Sequence, residues 1–163
     1  MQPSGFQPLV LNSKTRAALI DRAAHRVIYL GPGIGRAELA ALDAAVRRLG
    51  GDAVQVLVDP SSQAFRAGYW GDLSAAEAAR MLEPQLRGRV ATSLRLGLMI
   101  VDDSAWIYAP TVQAVEGEQS DRAEPNALQL DPEETRRLLA SILVPADSSD
   151  APKRPPLTKH ALE

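Results

Sequence analysis

The chain has 163 residues, 45% of them hydrophobic, a net charge of −2 and no cysteine. That length and apolar content suit one core plus a tail. They exclude a disulfide framework and thiolate metal sites, and with two histidines in all they leave little for a zinc centre. The mild acidity, with a pI near 5.7, argues against the broad basic surface of a general nucleic-acid binder. No run approaches the ~20 apolar residues of a membrane-spanning helix, and residues 1–8 lack a signal-peptide pattern, so a cytoplasmic protein is expected.

In chain order, Leu9, Val10 and Leu11 offer a short strand or an anchor beneath the first helix. Asn12 or Ser13 caps that helix, which is expected to run to about Ala24 with Ala17, Ile20 and Ala24 on the apolar side and Lys14, Arg16, Asp21 and Arg22 on the other. His25 follows where a helix C-terminus favours an imidazole.

Val27 to Leu30 reads as a buried strand, Gly31-Pro32-Gly33-Ile34-Gly35 as a turn, and Arg36 to Leu49 as an Ala-rich helix ended by Gly50-Gly51. A glycine-rich turn before a helix invites a phosphate-binding reading. Here Pro32 removes an amide donor, no Lys-Ser/Thr pair follows, and the spacing fits neither the dinucleotide nor the Walker pattern, so a tight turn without cofactor is expected. Ala53 to Val58 is a second strand stopped by Asp59-Pro60, which completes a βαβ unit with parallel strands.

Phe65, Arg66, Tyr69 and Trp70 lie in an irregular segment around Gly68 and Gly71. Aromatic rings and a guanidinium suit either a protein interface or base stacking, and buried loop anchors have the same composition. Ser74-Ala-Ala-Glu77 is a capping box that starts a helix ending near Pro84. Arg80, Arg87, Arg89 and Arg95 then follow, as an anion-accepting or partner-facing flank or as ordinary solvated arginines.

Residues 95–112 form a predicted hairpin: Leu98-Met-Ile-Val101, a turn at Asp102-Asp103-Ser104, and Trp106-Ile-Tyr108. A surface loop is expected from Val115 to Pro125. Asp131 caps a last helix with Pro132 at its first position, Glu133 and Glu134 in the first turn, and Leu138, Leu139, Ile142 and Leu143 as its apolar stripe. Residues 145–163 bury little and read as a linker or disordered tail after a domain spanning 1–144. The closing Leu162-Glu163 reads as a tag remnant, so a longer natural chain is expected.

The order of these pieces, and the hairpin with Asp102 at its turn, resemble the phospholipase D-like superfamily. That family carries a His and a Lys on the first hairpin strand, an Asp after them, and Gly-Ser-x-Asn on the second strand. With Asp102 as the Asp, Arg95 stands at the His position, Gly97 at the Lys position, and Ala109, Pro110, Thr111 and Val112 at the last four. The resemblance spans residues 12–112. It implies an α/β phospholipase D-like lobe, a mixed sheet with helices on both faces, pairing as a homodimer with the hairpins near the interface.

The family's chemistry requires an imidazole nucleophile with Lys and Asn donors around the phosphate. Guanidinium has no lone pair to attack with, and glycine has no side chain. The resemblance therefore implies a non-catalytic module for protein binding or homo-oligomerisation within a larger bacterial assembly, without cofactor or metal. Its candidate anion or partner surface comprises Phe65, Tyr69, Trp70, Arg87, Arg89, Arg95 and Asp102. The alternatives are a phosphodiesterase or nuclease working through His25, and a nucleic-acid adaptor using the aromatic segment.

Overall fold

A computed structural model describes residues 8–82, 94–110 and 124–143. Among the described residues six strands, numbered β1 to β6 along the chain, form one mixed sheet in the order 1-6-5-4-2-3, accompanied by five α-helices. The βαβ unit lies at one side of it. Strand β2 (Val27–Gly31), helix α2 (Arg36–Leu49) and strand β3 (Val54–Val58) are the predicted pieces, and Val27 pairs with Val54 in parallel register. Gly50, at φ 92°, stops α2 in a conformation that only glycine adopts freely.

The predicted hairpin completes the middle of the sheet. Strand β4 (Gly97–Val101) pairs antiparallel with β2 on one side and with β5 (Ser104–Tyr108) on the other. Every residue of β4 is buried, which matches its unbroken apolar run, because a central strand meets core on both faces. Strands β1 (Pro8–Leu9) and β6 (Ala127–Gln129) extend the sheet beyond β5; the short strand read at Leu9 to Leu11 is found at Pro8–Leu9, and the short apolar stretch from Ala127 is its partner. Leu11 is the anchor, fully buried.

Strand alternation sorts the core into two layers. Val27, Tyr29, Val56, Met99, Val101, Trp106 and Tyr108 face helix α1 (Ser13–Asp21) and α2, which pack on each other and contribute Ile20, Leu39, Leu42 and Ala45. Ile28, Leu98, Ile100 and Ala105 face the opposite way, beneath Leu138 and Leu139 of helix α5 (Pro132–Leu143). The last helix therefore packs on the sheet. Asp131 caps it as expected, its Oδ1 accepting the N–H groups of Glu133 and Glu134.

Two expectations need correction. Helix α1 is capped by Asn12 but ends at Asp21, three residues before Ala24, and residues 24–26 are held instead by the hairpin turn. Arg16, assigned to the solvent side, is buried at 2% exposure, because it lies one turn before Ile20 on the stripe that meets α2. Most of the loop expected at 115–125 and the tail at 145–163 lie outside the described residues.

Candidate functional site

The parallel strands β2 and β3 both end at the same edge of the sheet, where ligands bind in open α/β sheets because side chains on the succeeding loops converge there. Strand β2 has β3 on one side and β4 on the other, so loops diverge at this edge and leave a crevice. It is a cleft of about 120 Å³ lined by Pro32 after β2, Asp59 after β3, Gln63, Tyr69, and Leu94 and Arg95 before β4.

The β3 exit builds one wall. Asp59 is buried, its Oδ1 accepting the Ser61 N–H at 2.9 Å, and Ser61 caps helix α3 (Ser62–Arg66) by accepting the Ala64 N–H. Trp70 folds back so that its Nε1–H donates to the Asp59 carbonyl at 3.0 Å, and Phe65 stacks on it with centroids 4.7 Å apart. With 1% exposure, Trp70 is therefore a core anchor and not part of the surface to which its loop composition assigned it. Phe65 is partly buried against the same cluster.

Tyr69 remains half-buried beside the cleft, its backbone carbonyl pressed on Gly33, where an added Cβ would lie 2.4 Å from that oxygen. The Gly31 to Gly35 turn is buried throughout, so its glycines allow close approach of chain to chain. The Tyr29 hydroxyl donates to the Gly33 carbonyl at 3.1 Å. Burial pushes the Tyr29 phenol well above the usual range, and Tyr108 and Glu38 push it further, so it stays a donor at neutral pH.

Arg95 is exposed at the mouth of the cleft, and with Tyr69 it is one of two predicted surface residues that the fold brings together here. Asp102 lies at the other end of β4. It occupies the left-handed region at φ 54°, and its carboxylate accepts N–H groups of Ala24, His25 and Arg26. Burial raises its pKa, but these three donors and the His25 charge outweigh that and hold the carboxyl below the usual range. Asp102 is thus a clasp between the hairpin turn and the start of β2. Arg87 and Arg89 lie outside the described residues.

Behind the cleft sits a buried polar network. Arg16 donates from Nε and a terminal nitrogen to Glu38 Oε1 at 3.0 and 2.8 Å and to the Leu11 carbonyl at 2.6 Å, while Ser13 donates to the other Glu38 oxygen. Its guanidinium carbon lies 4.9 Å from the centre of the Tyr108 ring. That ring covers Gly97, its cross-strand partner, so closely that a Cβ there would lie 2.2 Å from a ring carbon. Neither contact was singled out in the sequence, although Arg16 and Ile20 share a helical stripe and Gly97 faces Tyr108 in the register of the hairpin.

Arg36, at the start of α2, ties down the segment after the cleft. It donates to Asp72 at 2.8 Å and to Glu77 at 3.2 Å. Glu77 closes the predicted capping box on Ser74 at the head of helix α4 (Ala75–Leu82), and the Ser74 N–H and hydroxyl, with Arg36, hold its carboxyl down to about 2. A depressed carboxyl pKa stabilises fully above the ordinary value of 4.5 and ceases to do so as pH falls toward 2. Unfolding curves between pH 5 and about 2 are expected to show this loss, and Glu77→Gln to remove that part of the pH dependence.

Among the described residues the cleft is lined by groups that can hold a ligand. Arg95 presents donors for a carboxylate or phosphate, Tyr69 a ring, and Gln63 an amide. His25, the single histidine among the described residues, is exposed beside Arg26 and Asp52, on the far side of β4 from Arg95. Lys14, the single described lysine, lies on α1 and not in that groove. Among the described residues no three His, Asp or Glu side chains are grouped to hold a metal, and no helix is long and apolar enough to cross a membrane.

No protein-family model matches the chain, and no curated protein matches it. A solved structure of TrmBL2, an archaeal chromatin protein described as showing a novel mode of DNA binding, is similar at a TM-score of 0.48 and 12% identity. The match covers 86% of this chain and 52% of that one, so the chain spans about half the length of TrmBL2. A likeness of that degree carries no inference about function.

Proposed function

We propose that the chain is a non-catalytic phospholipase D-like module that binds a partner and associates as a homodimer, as part of a larger bacterial protein or assembly. The observation that carries this reading is at Gly97. Where the resembled pattern has the phosphate-holding Lys, the Tyr108 ring covers the backbone, and a side chain has nowhere to go. At the position of the nucleophilic His stands Arg95, a pure donor at the mouth of a cleft. Binding is what these groups do: Arg95 engages an acidic or phosphate-bearing group of the partner, and Tyr69 packs beside it.

The test is hydrolysis. Bis(p-nitrophenyl) phosphate and supercoiled plasmid are expected to remain uncleaved above the buffer rate, and the mass in solution to be twice the 17.5 kDa of one chain. Cleavage abolished by His25→Ala would overturn the reading in favour of a phosphodiesterase. Binding to duplex DNA that weakens steeply between 50 and 200 mM salt would replace it with the nucleic-acid adaptor.

A further inference from the structure

The two ends of the sheet are finished differently. Among the described residues edge strand β1 comprises Pro8 and Leu9, and Pro8 has no N–H to offer, so it is a poor template for another strand. Edge strand β3 is Val54-Gln55-Val56-Leu57-Val58: five residues with no charge, no proline and no glycine, and no described strand pairs with its outer side. Sheet proteins ordinarily blunt such an edge with a lysine, a proline or a bulge, because it presents a row of donors and acceptors to any passing strand. Here none of those devices is present within β3.

We infer that the outer edge of β3 is the surface through which two copies of the chain associate, strand to antiparallel strand about a two-fold axis at Val56. This rests on the homodimer reading and names its interface. The stretch is nearly self-complementary. With Val56 opposite itself, Val54 faces Val58 of the partner subunit, and Gln55 faces Leu57 of the partner subunit.

Charge agrees with that register. The acids that bracket the strand meet uncharged residues, Asp52 opposite Pro60 of the partner subunit and Asp59 opposite Ala53 of the partner subunit, so no like charges are opposed. Two-fold closure also explains why one edge is bare and the other blunt. The pairing uses up β3 in both copies and leaves a sheet of twelve described strands whose two outermost are both β1, a poor template for further growth. The hairpins are then separated from the axis by β2 and β3, unlike the hairpin-to-hairpin pairing that the resemblance implies.

The chain has no cysteine, so cross-linking starts from a silent background. Gln55 is exposed and Leu57 half-buried, so both accept cysteine without loss of core. The double variant Gln55→Cys/Leu57→Cys is expected to form a disulfide-linked dimer as the main species on mild oxidation, and Gln55→Cys alone to stay largely monomeric on a non-reducing gel. In the unmodified protein, strand pairing on both edges is expected to make all five amides of 54–58 exchange slowly, where pairing with β2 alone protects only alternate ones.

A dimer by mass in which alternate amides exchange fast, or in which the double variant fails to cross-link, overturns the β3 interface while leaving the homodimer reading intact. A monomer at every concentration overturns both. Efficient cross-linking of Gln55→Cys alone overturns the register.

Discussion

Glu38→Ala is expected to lower the unfolding free energy by about 3–5 kcal/mol, because it leaves the Arg16 guanidinium in the core without its carboxylate. Both side chains are almost wholly buried, at 3% and 0% exposure, and the pair is held through two nitrogens of Arg16 on one oxygen of Glu38. Arg16→Ala should have a similar cost, since it strands a buried carboxylate whose described donor is then Ser13. The pair itself stabilises much less than either truncation suggests. Desolvating two charges offsets most of their attraction, so Arg16→Met combined with Glu38→Leu should be less destabilising than either alanine substitution alone. Urea unfolding distinguishes the cases: the midpoint falls for each single change, recovers in the double variant, and the slope stays constant.

This network also shows where sequence reading stops. Short apolar runs bounded by turn residues made β2, β3 and β4 legible, aromatic and β-branched residues made β5 legible, a period near 3.6 made α2 and α5 legible, and Ser74, Glu77, Asp131 and Pro132 marked helix starts by chemistry that acts within four residues. Arg16 was not legible as a buried residue. Its polarity points to solvent, and only its partner 22 residues away on another helix makes burial tolerable. A strand at Leu9 was legible but its partner was not, since Pro8 and Leu9 pair with Leu128 and Ala127, more than a hundred residues away.

The aromatic segment shows a different limit. Composition placed Phe65, Tyr69 and Trp70 together as surface or anchor, and the structure divides them: Trp70 is fixed by one hydrogen bond to the Asp59 carbonyl, while Tyr69 reaches the cleft. Arg95 and Asp102 were grouped by a motif, but the length of β4 stands between them. A motif read along the strand does not report which end of it a side chain occupies.

Gly97→Ala should destabilise the fold by about 1–3 kcal/mol, although alanine ordinarily improves on glycine within a strand by roughly 0.5–1 kcal/mol. The reversal has one cause. The new methyl would lie 2.2 to 2.5 Å from three atoms of the Tyr108 ring, and the ring has little room to retreat. Tyr108 is 2% exposed, it carries the Arg16 guanidinium 4.9 Å from its centre, and its hydroxyl lies 3.3 Å from where a Cβ on Gly31 would stand. Shrinking the ring removes the conflict. Tyr108→Ala alone should cost about 3–5 kcal/mol through the cavity it opens, but in that background Gly97→Ala should become neutral or favourable, a coupling that a double-mutant cycle measures directly. Gly97→Lys, which places a lysine where the proposed reading aligns one, should destabilise more than Gly97→Ala, and on that reading it confers no phosphodiesterase activity, because Arg95 cannot act as a nucleophile. A stable Gly97→Lys variant would mean that the ring yields easily, and the space above position 97 would then be open to a ligand.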